Sequence, residues 1–284
     1  MKGMSKPPTD HYPRPYYTAL RKLDAQSQNG YCAGGRTDLQ FVLDYSKDFM
    51  QTYKKSGFFG FEFLAQYSHD SSKHISWMDD ELVKFLEEFK ADESISSNTI
   101  LVLFGDHGPR FSKLRKSIKG LIQQRNAFFS VYLPPLFKSR YPNEYENLKA
   151  NNDKLATPMD IHATLMNLIN LEKGSNEKSS SIEKRDKSLF SKLSVDRTCD
   201  EAGIEPHYCA CMKRTQLKPD GKLTKLANKF VIYINEVMLK NHNDICQKLE
   251  LNKIDNVYLL ETSINTAKKR IKTNEHKNFE LFKS

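Results

Sequence analysis

The sequence predicts an α/β protein, a layered domain over residues 30–172 followed by an α+β subdomain over 189–284. Three observations carry this. Apolar runs without alternation stand at 57–68, 98–104 and 126–135, the pattern of strands buried on both faces of a sheet. Segments with apolar residues at helical spacing separate or follow them, the order of a layered α/β fold. Beyond a polar Ser/Lys/Glu-rich stretch, 173–188, the chain changes to one long amphipathic helix and two short strand-like runs.

Residues 1–29 are polar and carry Pro7, Pro8, Pro13 and Pro15, so they read as an irregular lead-in. Phe41, Val42, Tyr45, Phe49 and Tyr53 mark a first helix. The run GFFGFEFLAQYS (57–68) reads as a buried strand. Met78, Leu82, Phe85, Leu86 and Phe89 form one helix face, and NTILVLF (98–104) a second buried strand. NAFFSVYLPP (126–135) is a third, stopped by Pro134-Pro135. Thr157 is placed to cap a helix with Pro158 at its first position and Asp160 closing a capping box. Leu223, Leu226, Ala227, Phe230, Ile234, Val237 and Met238 define the long C-terminal helix. NVYLLETSI and NFELF read as strands.

The 284 residues are 38% hydrophobic and 11% aromatic, enough for a sizeable core, and the formal charge is +9. The excess lysines are scattered through polar loops, with no stripe of interleaved arginines and aromatics, which reads against nucleic acid. No apolar run is long enough to cross a bilayer, and the N-terminus lacks the apolar core of a signal peptide. Of five cysteines, Cys199, Cys209 and Cys211 crowd together, and Cys32 and Cys246 stand apart. Three readings are open: disulfides drawn from Cys199, Cys209, Cys211 and Cys246, plain buried thiols, or a zinc site from Cys199, His207, Cys209 and Cys211.

Chemistry concentrates at Asp106-His107, placed at the carboxyl end of the 98–104 strand and bracketed by Gly105 and Gly108. A carboxylate beside an imidazole suits Zn²⁺ or Mn²⁺; the plainer reading is a pair making turn hydrogen bonds. Ser68-His69-Asp70 follows another strand end, one helix earlier, as in a right-handed βαβ unit, so the two loops are expected to converge. His69 would then touch metal or substrate, or else cap the next helix. Arg110 and Arg115 follow the first loop and would serve an anionic substrate, or form part of a solvated basic loop with Lys113 and Lys116. His74 and His11 read as ordinary surface residues.

LVLFGDHGPRF resembles the metal loop of the alkaline phosphatase superfamily. The set CAGGRTD, YSHD, GDHGPRF, LPPLFKSRYP, TPMDIHATL and RTCDEAGIEPHYCAC resembles a sulfatase-like family within it, over about residues 30–260. The resemblance implies part of an α/β/α layered sheet and an extracellular or secretory-lumen setting. It implies metal-dependent hydrolysis of a phosphate or sulfate ester, on an anionic small molecule or glycan. Asp106 and His107 match the metal pair, for Zn, Mn, Mg or Ca. His69 matches a histidine contacting metal or substrate. In the superfamily the nucleophile and the first metal carboxylates come from an N-terminal half. No strand ending in Asp and leading to a Thr, Ser or Cys helix start precedes the 67–70 turn. The expectation is therefore the C-terminal half of such a protein, inactive alone. The alternative is a non-catalytic extracellular interaction or structural protein on the same fold.

Overall fold

The computed structural model describes residues 4–23, 30–33, 35–69, 72–110, 117–171, 185–210, 212–242, 244–261 and 278–282. The chain divides into two units, Met1–Pro142 and Asn143–Ser284.

The first unit opens with helix α1 (Arg14–Leu23) and a minimal hairpin, β1 (Cys32–Ala33) antiparallel to β2 (Arg36–Thr37). Gly35 turns this hairpin at φ +76°, a backbone region that side chains with a Cβ avoid. Thr37 then caps α2 (Asp38–Tyr53), accepting from Gln40 N at 3.0 Å. The same hydroxyl donates to Glu81 at 2.7 Å. The CAGGRTD stretch is thus a turn-and-cap device. Asp38, 1% exposed, pairs with Arg21 at 3.2 Å. A 3₁₀ turn (Ser72–Met78) leads into α3 (Asp79–Ala91) and the short α4 (Glu93–Ser96).

Strand β3 (Leu101–Phe104) pairs antiparallel with β4 (Phe129–Tyr132), with α5 (Ile118–Arg125) between them in the chain. Met50 of α2, Phe85 and Phe89 of α3 and Ile95 of α4 form the core. Leu101 and Tyr132 of the ribbon pack against it with Leu43, Phe58, Leu82 and Leu86. Phe89 meets the Tyr132 ring edge-on at 5.4 Å. Helix α6 (Pro135–Arg140) follows with Pro135 at its first position and Phe137 buried.

Among the described residues of 30–172 the strands form two small antiparallel pairs, β1–β2 and β3–β4, and no layered sheet. One expectation is corrected here. The 57–68 run is not a strand. Of its four phenylalanines only Phe58 turns inward, onto Phe49 at 5.6 Å, while Phe59, Phe61 and Phe63 are 74%, 61% and 64% exposed; Tyr67, in the turn that ends the run, is buried. Aromatic content favours a strand only where a neighbour takes its backbone hydrogen bonds. Residues 57–64 have no such neighbour among the described residues. The expected parallel βαβ crossover from that run to β3 is lost with it.

The second unit holds α7 (Pro142–Ala150, whose first residue closes the first unit), α8 (Pro158–Asn170), β5 (Lys213–Leu217), α9 (Gly221–Tyr233), β6 (Asn256–Glu261) and β7 (Asn278–Phe282). Thr157 and Asp160 close the predicted capping box on α8. The segment 185–197, which contains turns, is stitched down by Asn151. Its amide donates to Leu189 O (2.9 Å) and Ser191 O (2.8 Å), and its carbonyl accepts from Leu193 N (2.9 Å). Leu189, Phe190 and Leu193 are buried along it. β5, β6 and β7 form an antiparallel sheet with β6 central, and Val257 and Leu260 of β6 are buried. This unit combines helices with a small antiparallel sheet. The polar stretch 173–188 lies mostly outside the described residues.

Candidate metal centre

β3 delivers the Asp106-His107 loop. Gly105 N extends the ribbon by donating to Phe128 O at 2.9 Å, and Gly108 N donates to Gln124 O at 2.9 Å. The loop is therefore held at both ends, on the ribbon and on the last turn of α5. A Cβ at Gly108 would lie 2.1 Å from Gln123 O and 2.7 Å from Gln123 C, inside the α5 backbone. This third residue of Asp-His-Gly is glycine because nothing larger fits against the helix.

The pair itself is locally ordered. Asp106 Oδ1 accepts from His107 N at 2.9 Å. His107 Nδ1 lies 2.8 Å from Gly108 O. A carbonyl can only accept, so Nδ1 carries the proton and, in the neutral ring, Nε2 keeps its lone pair. Nε2 stands 3.5 Å from Asp106 Oδ2, too far for a good hydrogen bond. Two donors each about 2.1 Å from a tetrahedral ion lie about 3.4 Å apart. The spacing and the tautomer are those of two neighbouring ligands, with the second ring nitrogen anchored to a backbone carbonyl. His107 is 33% exposed and Asp106 56%, so the pair is open to solvent.

The donor chemistry thus fits a divalent ion at two coordination positions. Among the described residues no group of three His, Cys, Asp or Glu gathers around any point. His69 is not brought to the pair as a third member. It follows the 65–68 turn, donating its amide to Ala65 O at 2.8 Å, and it is exposed. The strand that was to aim it at Asp106-His107 is missing. Arg110 is exposed on the loop; Arg115, Lys113, Lys116 and Asp70 lie outside the described residues.

The cysteine cluster resolves differently. Cys199 and Cys209 form a disulfide with Cα atoms 6.0 Å apart, which removes two ligands from the zinc reading with His207. Cys246 is an exposed free thiol, and Cys211 lies outside the described residues.

Two groupings escaped the sequence reading. Tyr31 Oη lies 2.8 Å from His74 Nδ1, and the His74 ring sits 4.3 Å from Trp77, so His74 is half-buried in an aromatic cluster. No local pattern marks it, because Tyr31, its hydrogen-bond partner, is 43 residues away. In the second unit Asp160, 0% exposed, receives both terminal nitrogens of Arg197 at 2.7 and 3.0 Å, and Lys187 N at 2.7 Å. The T-P-x-D and R-x-C stretches therefore meet in a structural clasp.

A family model described as "Protein of unknown function (DUF229)" matches residues 1–255. The chain belongs to this family. DUF229 is a sulfatase-like family in the alkaline phosphatase superfamily. No curated protein and no solved structure gives a significant match.

Proposed function

We propose that this DUF229 chain carries part of a metal-dependent phosphate- or sulfate-ester hydrolase site, with Asp106 Oδ2 and His107 Nε2 as two of the metal's ligands. The 3.5 Å spacing of those atoms, with Nδ1 tied to Gly108 O, is the observation that carries the reading. Membership of a sulfatase-like family supports the reaction class. A nitrogen and a carboxylate oxygen suit Zn²⁺ or Mn²⁺ better than Mg²⁺ or Ca²⁺. Such an ion acts as a Lewis acid on an ester oxygen. Arg110 and Arg115 are assigned to the anionic ester group and His69, not brought to the pair as a metal ligand, to substrate. The Cys199–Cys209 bond supports an oxidising, secretory or extracellular setting. Two ligands without a described third favour weak metal binding and little turnover by this chain alone. The same fact supports the second reading, a non-catalytic interaction protein on this fold.

Calorimetric titration of the chain with Zn²⁺ and with Mn²⁺ tests the assignment. Asp106→Ala and His107→Ala should each weaken binding at least about tenfold, the order expected for loss of a group that fixes a metal. Unchanged affinity in both variants rejects the metal reading and leaves the interaction reading.

A further inference from the structure

Helix α9 and the π-helical turn that continues it (Ile234–Met238) present a face that the family's chemistry does not use. Ala227 is buried at 2% exposure, with Leu223, Val231 and Ile234 half-buried beside it. A second apolar stripe is open to water: Leu226, Phe230, Tyr233 and Val237, at 39%, 53%, 52% and 57% exposure. Exposed Lys222, Lys225 and Lys229 run beside it, and exposed Lys240 follows the π turn. Between Gly221 and Lys240 the single acidic residue is Glu236. At about 100° per residue, Leu226, Phe230 and Tyr233 span about 60° of the helix surface, and the three lysines span the adjoining 60°.

We propose that this face binds an anionic lipid surface, with the helix lying in the plane of the headgroups. An apolar stripe alone would fit many partners, but the lysine row beside it selects a negatively charged one. Free polyanions such as sulfated glycans offer the charge and no apolar bed for Phe230 and Val237. A bilayer interface offers both in the order seen here: acyl boundary for the stripe, headgroups for lysines whose methylene stems lie along it. Tyr233, at the border of the two arcs, has the amphipathic ring suited to that depth. Among the described residues no helix is long and apolar enough to cross a membrane, so contact here is lateral. This inference is independent of the Asp106-His107 reading.

Co-sedimentation of the whole chain with phosphatidylcholine vesicles, with and without phosphatidylserine, is the test. Binding to the serine-containing vesicles is expected, falling as salt is raised. Replacing Lys222, Lys225 and Lys229 together by Gln should lower partitioning on the order of 100-fold. Phe230→Ser with Val237→Ser should weaken binding without changing its salt slope. All five positions are exposed, so circular dichroism should show the fold retained. No binding to anionic vesicles at low salt overturns the proposal, as does binding that survives both sets of substitutions. Retention on heparin without vesicle binding also overturns it, in favour of a glycan partner.

Discussion

Removing Asp160 should destabilise the second unit far more than a typical single substitution. The carboxylate is wholly buried and accepts from Thr157 N (2.8 Å), Thr157 Oγ1 (3.0 Å), Lys187 N (2.7 Å) and both terminal nitrogens of Arg197. Arg197 is itself 5% exposed on its side chain, and spends its other donors on Leu155 O (3.0 Å) and Arg185 O (2.6 Å). Asp160→Ala leaves a buried guanidinium without its counter-charge, a change that costs about 3–5 kcal/mol. Loss of the capping box overlaps with that and adds at most about 1 kcal/mol. A net loss of about 4 kcal/mol is a large share of the roughly 5–15 kcal/mol that holds a domain folded. Asp160→Asn should fare little better, because its NH₂ would face donors from Arg197 or Lys187. Urea unfolding followed by circular dichroism measures the loss, and hydrogen exchange at the Thr157 and Lys187 amides assigns it to this unit. Arg197→Met completes a double-mutant cycle, expected to show about 2 kcal/mol or more of coupling. A loss under about 1 kcal/mol for Asp160→Ala, or coupling near zero, would refute the clasp.

Three further outcomes follow from the structure. Gly108→Ala should cost roughly 1–3 kcal/mol, since the new methyl meets the Gln123 carbonyl, and should weaken metal binding at the loop it displaces; a denaturation curve beside a metal titration checks both. Replacing Cys199 and Cys209 together by Ser should cost about 2.5–3 kcal/mol for a closed loop of separation 10, and mass spectrometry of the alkylated protein should locate the bridge. Burial first, then the Asp38 carboxylate, raises the Tyr17 phenol above its ordinary value of 10.0. In the unfolded chain that phenol ionises near pH 10 while the folded chain still holds its proton, so stability should fall as pH rises past 10. Tyr17→Phe should flatten that alkaline loss, read from thermal melts across pH.

Local signals were the legible ones. Thr157, Pro158 and Asp160 announce the start of α8 because capping chemistry is complete within four residues. The 3.6-residue rhythm located α2, α3 and α9, and the apolar runs located β3, β4 and β6. Pairing was not legible, since strand direction depends on partners remote in sequence. The run at 57–64 has the composition of a strand and, among the described residues, no neighbour to make it one. β5, KRTQL, has almost no apolar content and is a strand because β6 lies beside it, Thr215 against Leu259. The same division runs through the site. Asp106, His107 and the glycines that bracket them are contiguous and readable; that Gly108 must leave room for Gln123 of α5 is not. Convergence with His69 rests on a strand at 57–68, which is not found among the described residues. The neighbourhood of Asp160 in the sequence marks a helix cap; its second role, with Arg197, depends on a partner 37 residues on.

The most direct test of the metal-pair account is a Zn²⁺ titration of the histidine-labelled chain, followed through the ¹⁵N shifts of the His107 ring. The account predicts that Nε2 takes the metal's shift while Nδ1 stays protonated on the Gly108 carbonyl, and that Asp106→Ala blunts the response. A His107 ring that ignores Zn²⁺, or that responds through Nδ1, would contradict it.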